Sequence, residues 1–221
     1  MKRTLILSIA TLSILPLVGC VEQPSSTTVE SIKPTTEVAT NDPKSLTLKN
    51  LQSAYNGEAN AHQMYLSYSQ KADQEGYKGV ASLFRSAAGA EAIHRDNHGV
   101  VIQSMGGTPE AKIAEPQVKS TQENLETAIK GESYERDTMY PEFIGQAKNA
   151  GNAAAVQTFT YAGEAEGEHA KLYTEALKNL DGWKTPKAFY VCQSSGQTSM
   201  KVSDMGNCPK SNTKEQFAKI L

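Results

Sequence analysis

The sequence has little of what defines several protein classes. Cysteine occurs three times in 221 residues, too seldom for a chain built on a disulfide framework. There is no surplus of positive charge: 22 Lys and Arg stand against 24 Asp and Glu, for a formal charge of −2. Without a basic surplus there is no electrostatic footprint for a phosphate backbone, so nucleic acid is not an expected partner. A long apolar run is missing too. The one apolar stretch, residues 5–18, is broken by Ser, Thr and Pro16 and falls short of the about 20 residues that a membrane-spanning helix needs. What remains is a chain long enough for one or two domains with a sizeable core.

The start of the chain reads as an address. Lys2 and Arg3 precede the apolar run, which ends Leu17-Val18-Gly19-Cys20. That layout is a secretory signal, and its end resembles the bacterial lipoprotein box, with Cys20 as the lipidated first residue of the mature chain. The other reading is an ordinary signal with a chance cysteine. Removing residues 1–19 takes away two of the 22 basic residues and none of the 24 acids, leaving a formal charge of −4. With no polybasic patch, the lipid at Cys20 would carry the membrane hold. Residues 20–45 are rich in Ser, Thr and Pro and hold no aromatic residue; such a segment buries too little to offset its chain entropy and reads as a tether.

From 46 to 182 the apolar residues recur at three and four. The period predicts helices over about 47–74, 78–105, 117–148 and 152–180. Their sequence is duplicated. Asn50-Leu51-x-x-Ala54-x-x-Gly57-Glu58 returns as Asn124-Leu125-x-x-Ala128-x-x-Gly131-Glu132, and Phe84, Glu91 and His94 return as Phe159, Glu166 and His169. Glu58 to Glu91 spans 33 residues, and Glu132 to Glu166 spans 34. Two similar helical hairpins joined by a crossover make a ferritin-like four-helix bundle.

Each helix carries its acid on the apolar stripe. Residues three, four and seven apart share a face, which puts Glu58 with Tyr65, Glu91 with Leu83 and His94, Glu132 and Glu135 with Leu125, and Glu166 with Phe159 and His169. Buried carboxylates repel one another and tend to neutralise. Divalent metal removes both costs, and one Glu from each of two helices plus Glu-x-x-His from the other two is a di-iron ligand set. Glu91-x-x-His94 and Glu166-x-x-His169 fit it, and Glu135 adds a carboxylate. Glu164 and Glu168 sit off the stripe and read as solvated. His62 and His98, one turn from proposed ligands, read as polar neighbours of the site.

These residues resemble rubrerythrin: Ala54-Tyr55-Asn56-Gly57-Glu58 running to Tyr65, Glu91-x-x-His94, Gly131-Glu132-x-x-Glu135 followed by Met139-Tyr140-Pro141, and Glu166-x-x-His169. The resemblance implies a site of two iron ions that reduces hydrogen peroxide to water in a homodimer. It implies Glu58, Glu91, Glu132, Glu135, Glu166 and His169 as ligands of the oxidised pair, with His94 replacing Glu135 on reduction. It also places Tyr65 and Tyr140 at the site, bonded to ligand carboxylates or peroxide; aromatic core packing is the alternative.

Residues 183–221 resemble the small rubredoxin-like β domain that closes the family's chains, but depart from it. Two Cys-x-x-Cys knuckles hold an iron there; here they read Cys192-Gln193-Ser194-Ser195 and Cys208-Pro209-Lys210-Ser211. With two of four thiolates replaced by poor hydroxyl ligands, no rubredoxin-type iron is expected. The resemblance brings Cys192 and Cys208 together, and an oxidising compartment would pair them, closing a loop of about 17 residues worth about 3 kcal/mol. That disulfide is either structural or a redox donor.

The expectation is therefore a di-iron peroxidase at the cell envelope, lipid-anchored on the periplasmic or extracytoplasmic side. Lacking the rubredoxin iron, it needs another extracytoplasmic electron donor. A ferroxidase-like oxidation of Fe(II) and a non-enzymatic metal-binding envelope protein are the alternatives, and manganese suits the same ligands.

Overall fold

The computed structural model describes residues 42–205, 208–209 and 216–221. The signal segment, Cys20 and the tether up to residue 41 lie outside the described residues. Five α-helices come first: α1 (Pro43–Gln74), α2 (Lys78–Ser104), α3 (Thr121–Tyr134), α4 (Tyr140–Asn149) and α5 (Ala153–Lys178). Three short strands follow: β1 (Phe189–Cys192), β2 (Thr198–Ser199) and β3 (Phe217–Ile220). No described helix is long and apolar enough to cross a membrane.

Local chemistry sets the helix ends. Asp42 caps α1, its side chain accepting from the Ser45 N–H, and Pro43 fills the first turn, where no donor is needed. The helix thus opens inside the stretch read as tether. The α1–α2 turn uses Gly76 at φ +84°, a left-handed backbone that costs glycine nothing. Ser120 and Glu123 form a reciprocal capping box at the start of α3.

The third helical segment is not continuous, as its periodicity had suggested. Residues Glu135–Met139 form a π-helical turn between α3 and α4, in which the Tyr140 N–H donates to the Glu135 carbonyl five residues back. The reason is partly Pro141, which has no N–H to give to the preceding turn. The unequal acid spacing has the same source. From Glu58 to the end of α1 is 16 residues, and from Glu132 to the end of α4 is 17; both turns are three residues, and Glu91 and Glu166 each lie 13 into their helices. The extra residue therefore lies in the α3–α4 rod, where a π turn absorbs one.

Helix α1 packs along α2, and α3 and α4 pack along α5, with α2 and α5 joining the two hairpins. The apolar stripes close into two clusters. One is built on Tyr65, Phe84, Leu125 and Tyr173, the other on Leu51, Ile102, Tyr140 and Phe159. The strands form an antiparallel sheet in the order β2-β1-β3. Val191 sits opposite both Thr198 and Ala218. Strand β1 lies on α2 and β2 on α5, and a disulfide joins Cys192 to Cys208.

Candidate metal centre

The two core clusters are bridged by charge. Glu58, Glu91, Glu132 and Glu166, with His94 and His169, are all almost wholly buried. Their ligand atoms fall into two groups: Glu58, Glu91, His94 and Glu166 in one, and Glu91, Glu132, Glu166 and His169 in the other, each group within 4.8 Å. Glu91 and Glu166 belong to both. They are thus placed to bridge, while Glu58 and Glu132 are terminal.

The imidazoles face the carboxylates through Nδ1. His94 Nδ1 lies 3.0 Å from Glu91 Oε2 and 3.1 Å from Glu166 Oε1. His169 Nδ1 lies 2.9 Å from Glu166 Oε2, 3.4 Å from Glu91 Oε1 and 3.5 Å from Glu132 Oε1. The arrangement repeats across the two hairpins, each histidine meeting the acid one turn behind it and the bridging acid opposite.

Two tyrosines tie the terminal acids down, one from each core cluster. The Tyr65 hydroxyl donates to Glu132 Oε1 at 2.7 Å, and the Tyr140 hydroxyl donates to Glu58 Oε1. Both tyrosines are also packed in the aromatic core. Behind Tyr140 stands His98, whose Nε2 lies 3.3 Å from the Tyr140 hydroxyl and whose Nδ1 lies 2.9 Å from Thr158 Oγ1. Burial, and then the neighbouring His94 charge, push His98 down to about 3, so it is neutral in ordinary conditions. His62 instead bonds the Ala88 carbonyl.

Without metal this is a crowd of charge. Burial first, and then the neighbouring acids, raise the carboxyls of Glu58, Glu132 and Glu135 well above the usual range. Burial also raises Glu166, but His94 and His169 outweigh it and hold that carboxyl below the usual range. Burial opposes charge on His94 as well, and there the acids prevail, led by Glu166, raising it to about 10.

The residues fit a pair of metal ions on an independent ground. Glu58 Oε2, Glu91 Oε1 and Glu166 Oε1 are buried with no hydrogen-bond partner. The latter two have an imidazole nitrogen of the other hairpin close by but out of hydrogen-bond alignment. A buried carboxylate oxygen without a partner is costly, and three in one cluster are what cations would satisfy. The oxygen and imidazole donors suit iron or manganese.

Glu135, at the first residue of the π turn, is half-buried and lies outside both ligand groups, whereas His94 lies in one of them. One sequence expectation changes: Glu168 is not solvated, since it is half-buried and accepts from the Thr198 N–H at 3.0 Å. Glu164 is exposed, as expected. Sequence reading also missed Ser195, Gly196 and Thr198, which touch the histidines from the C-terminal sheet. Only a contact across 101 and 29 residues reveals them.

A four-helix bundle whose inner faces carry paired Glu and Glu-x-x-His sets is a ferritin-like carboxylate protein, and the comparisons agree. The bacterioferritin of Desulfovibrio desulfuricans, crystallised with its diiron site in different catalytic states, matches the fold with a TM-score of 0.60 at 21 % identity, over 72 % of this chain and 95 % of that one. The chain belongs to the rubrerythrin family, whose signature it matches over residues 49–177. It is 37 % identical over 164 residues to nigerythrin of Nitratidesulfovibrio vulgaris, covering 74 % of this chain and 80 % of the relative. The structure of nigerythrin in its fully reduced, all-ferrous state matches with a TM-score of 0.66 at 35 % identity, over 69 % of this chain and 76 % of that one.

Proposed function

We propose that this protein is a di-iron peroxidase of the cell envelope that reduces hydrogen peroxide to water. The observation that carries the reading is the doubled ligand set: two overlapping groups of four, sharing Glu91 and Glu166, with three buried carboxylate oxygens lacking partners. Glu58, Glu91, Glu166 and His94 would hold one ion, and Glu91, Glu132, Glu166 and His169 the other. Bound iron supplies one electron per ion and a Lewis-acidic anchor for the peroxide.

The chain's own residues do the rest. Tyr65 and Tyr140 keep the terminal carboxylates aimed inward. The two aromatic clusters keep bulk water from the centre, which strengthens each electrostatic contact within it. His94 among the ligands, with Glu135 outside, is the arrangement that the family resemblance implies for the reduced pair. Glu135 heads a π turn beside the site and is the residue that would exchange with His94 on oxidation. The exchange would put the Glu135 carboxylate in place of the neutral His94 imidazole, matching a higher metal charge.

The envelope location is read from Lys2-Arg3, the apolar run and the Leu17-Val18-Gly19-Cys20 box. Cys20 would be acylated and residues 20–42 would hold the bundle off the membrane, on the periplasmic or extracytoplasmic side, as a homodimer. Its electrons would come from an extracytoplasmic redox protein.

Metal analysis of protein matured in its own host should give two irons per chain. Stopped-flow mixing of the ferrous protein with peroxide should reoxidise the site faster than mixing with oxygen. Faster reoxidation by oxygen would point to Fe(II) oxidation as the activity instead, and zinc or no metal would sink the reading. Incorporation of labelled fatty acid, abolished in Cys20→Ala, tests the anchor.

A further inference from the structure

Only one nitrogen of each site histidine faces the carboxylates. The other meets the C-terminal sheet. His94 Nε2 lies 3.0 Å from the Ser195 carbonyl oxygen, and His169 Nε2 lies 3.1 Å from Thr198 Oγ1. Both partners belong to one hairpin turn, residues 192–198, counted from the last residue of β1 to the first of β2.

A carbonyl oxygen can only accept, so His94 Nε2 carries its hydrogen and donates. The Thr198 hydroxyl also faces the Gly196 carbonyl, at 3.0 Å. That carbonyl can take the hydroxyl hydrogen, which leaves the hydroxyl oxygen to accept from His169 Nε2. A neutral ring protonated at Nε2 has its lone pair on Nδ1, the nitrogen that faces the acids.

The turn also seats the His94 ring by shape. Gly196 has φ +78°, and a Cβ built on it would lie 2.1 Å from His94 Nε2 and 2.7 Å from Cδ2. Only glycine allows this approach. The turn is itself held from several sides. The Gly196 N–H donates to the Cys192 carbonyl at 2.9 Å, and the Cys192 N–H to the Gln197 carbonyl at 2.8 Å. Asn97 of α2 donates to the Ser194 carbonyl at 2.9 Å, and Glu168 of α5 accepts from the Thr198 N–H at 3.0 Å. The Cys192–Cys208 disulfide pins its first residue.

We propose that the disulfide-closed turn 192–198 is a positioning element of the metal centre, fixing both histidines so that each offers Nδ1 to metal. Ser195 acts through its carbonyl, Gly196 through its missing side chain and Thr198 through its hydroxyl; none of them touches the metal. The proposal rests on the cluster being a two-metal centre. It gives the altered C-terminal segment a task that needs no iron of its own: Ser195 keeps the backbone carbonyl that any residue there would supply, and the disulfide keeps it in place.

The test is Co(II) binding to metal-free full-length protein, followed by visible absorption, in wild type, Thr198→Val, Thr198→Ser, Gly196→Ala and the double variant Cys192→Ser/Cys208→Ser. Outer partners of metal-bound histidines are worth about 10–100-fold in affinity. Thr198→Val and Gly196→Ala should weaken binding by about that factor and shift the cobalt spectrum, and Thr198→Ser should restore both. The double cysteine variant should weaken binding in the same direction. Wild-type affinity and spectrum in Thr198→Val and Gly196→Ala would overturn the proposal, as would failure of Thr198→Ser to rescue. Wild-type affinity in the double cysteine variant would remove the disulfide from it. A second readout needs no metal: in nitrogen-15 histidine spectra, the Nε2–H of His169 should exchange slowly with solvent in wild type and rapidly in Thr198→Val. If wild type took up no cobalt, the two-metal reading would fall, and rapid exchange of that Nε2–H in wild type would separately overturn the positioning role.

Discussion

The acids of the bundle are unequal, and their positions say how. Glu91 and Glu166 stand in both ligand groups, whereas Glu58 and Glu132 stand in one each. Glu166→Gln should therefore weaken both positions and leave less than one ion per chain, while Glu58→Gln should retain at least one. Metal analysis after reconstitution distinguishes these outcomes. Tyr140 makes a second residue-level prediction. Its hydroxyl bonds Glu58 and draws that carboxyl downward against burial and its acidic neighbours. A hydrogen bond to a charged partner contributes about 1.5–3 kcal/mol, so Tyr140→Phe should cost about that much in denaturant unfolding of the metal-loaded protein. The acids and Glu-x-x-His pairs were legible because their period coincides with the apolar period, and both repeat. His98 was legible as a neighbour of the site, one turn from His94, but its bonds to Tyr140 and Thr158 were not, because each partner lies on another helix.

At the scale of elements, the π turn at Glu135–Met139 shows where reading by period stops. A helical wheel assumes one angle per residue throughout, so it passed Leu125, Glu132 and Glu135 down one stripe of a helix read as continuous to residue 148. Two traces of the interruption stood in the sequence: the one-residue difference between the two acid intervals, and Pro141. The turn matters because it sets the rotation of α4 relative to α3, about 100° per residue. Deleting the exposed Thr138 should let the rod close as uninterrupted α-helix and swing Tyr140 away from Glu58. We expect a loss of several kcal/mol in thermal or chemical unfolding, since Tyr140 is fully buried and such side chains cost about 3–5 kcal/mol when their packing is lost. The strands of the C-terminal sheet were legible only through resemblance; their four-residue and two-residue lengths are too short for alternation to register.

For the whole molecule, the buried charge makes stability depend on pH in a known direction. His94 and His169 are raised above their ordinary value, His94 to about 10, and Glu58, Glu132 and Glu135 are raised as well. Above pH 6.5 the metal-free folded state therefore holds more protons than the unfolded chain, and stability falls as pH rises. The contribution of His94 is fully present below about pH 6.5, the ordinary histidine value, and is lost as pH rises to about 10. Glu166 and His98, whose values are lowered, act at lower pH and do not offset this. The melting temperature of metal-free protein should drop steadily between pH 6.5 and 9. Metal-loaded protein should show the opposite trend or none, because cations replace those protons.

The sharing of Glu91 and Glu166 has one further consequence. Each hairpin supplies three ligands to its own group and borrows the fourth: the first takes Glu166 from the second, and the second takes Glu91 from the first. What each half lacks is the same kind of residue, at the same helical position, that it lends. Neither half can be complete alone, yet a single hairpin meeting a second copy of itself would have every ligand in place. The full-length chain can be viewed as such a self-complementary pair made permanent by a covalent link, with the later divergence of its halves recorded as one added residue.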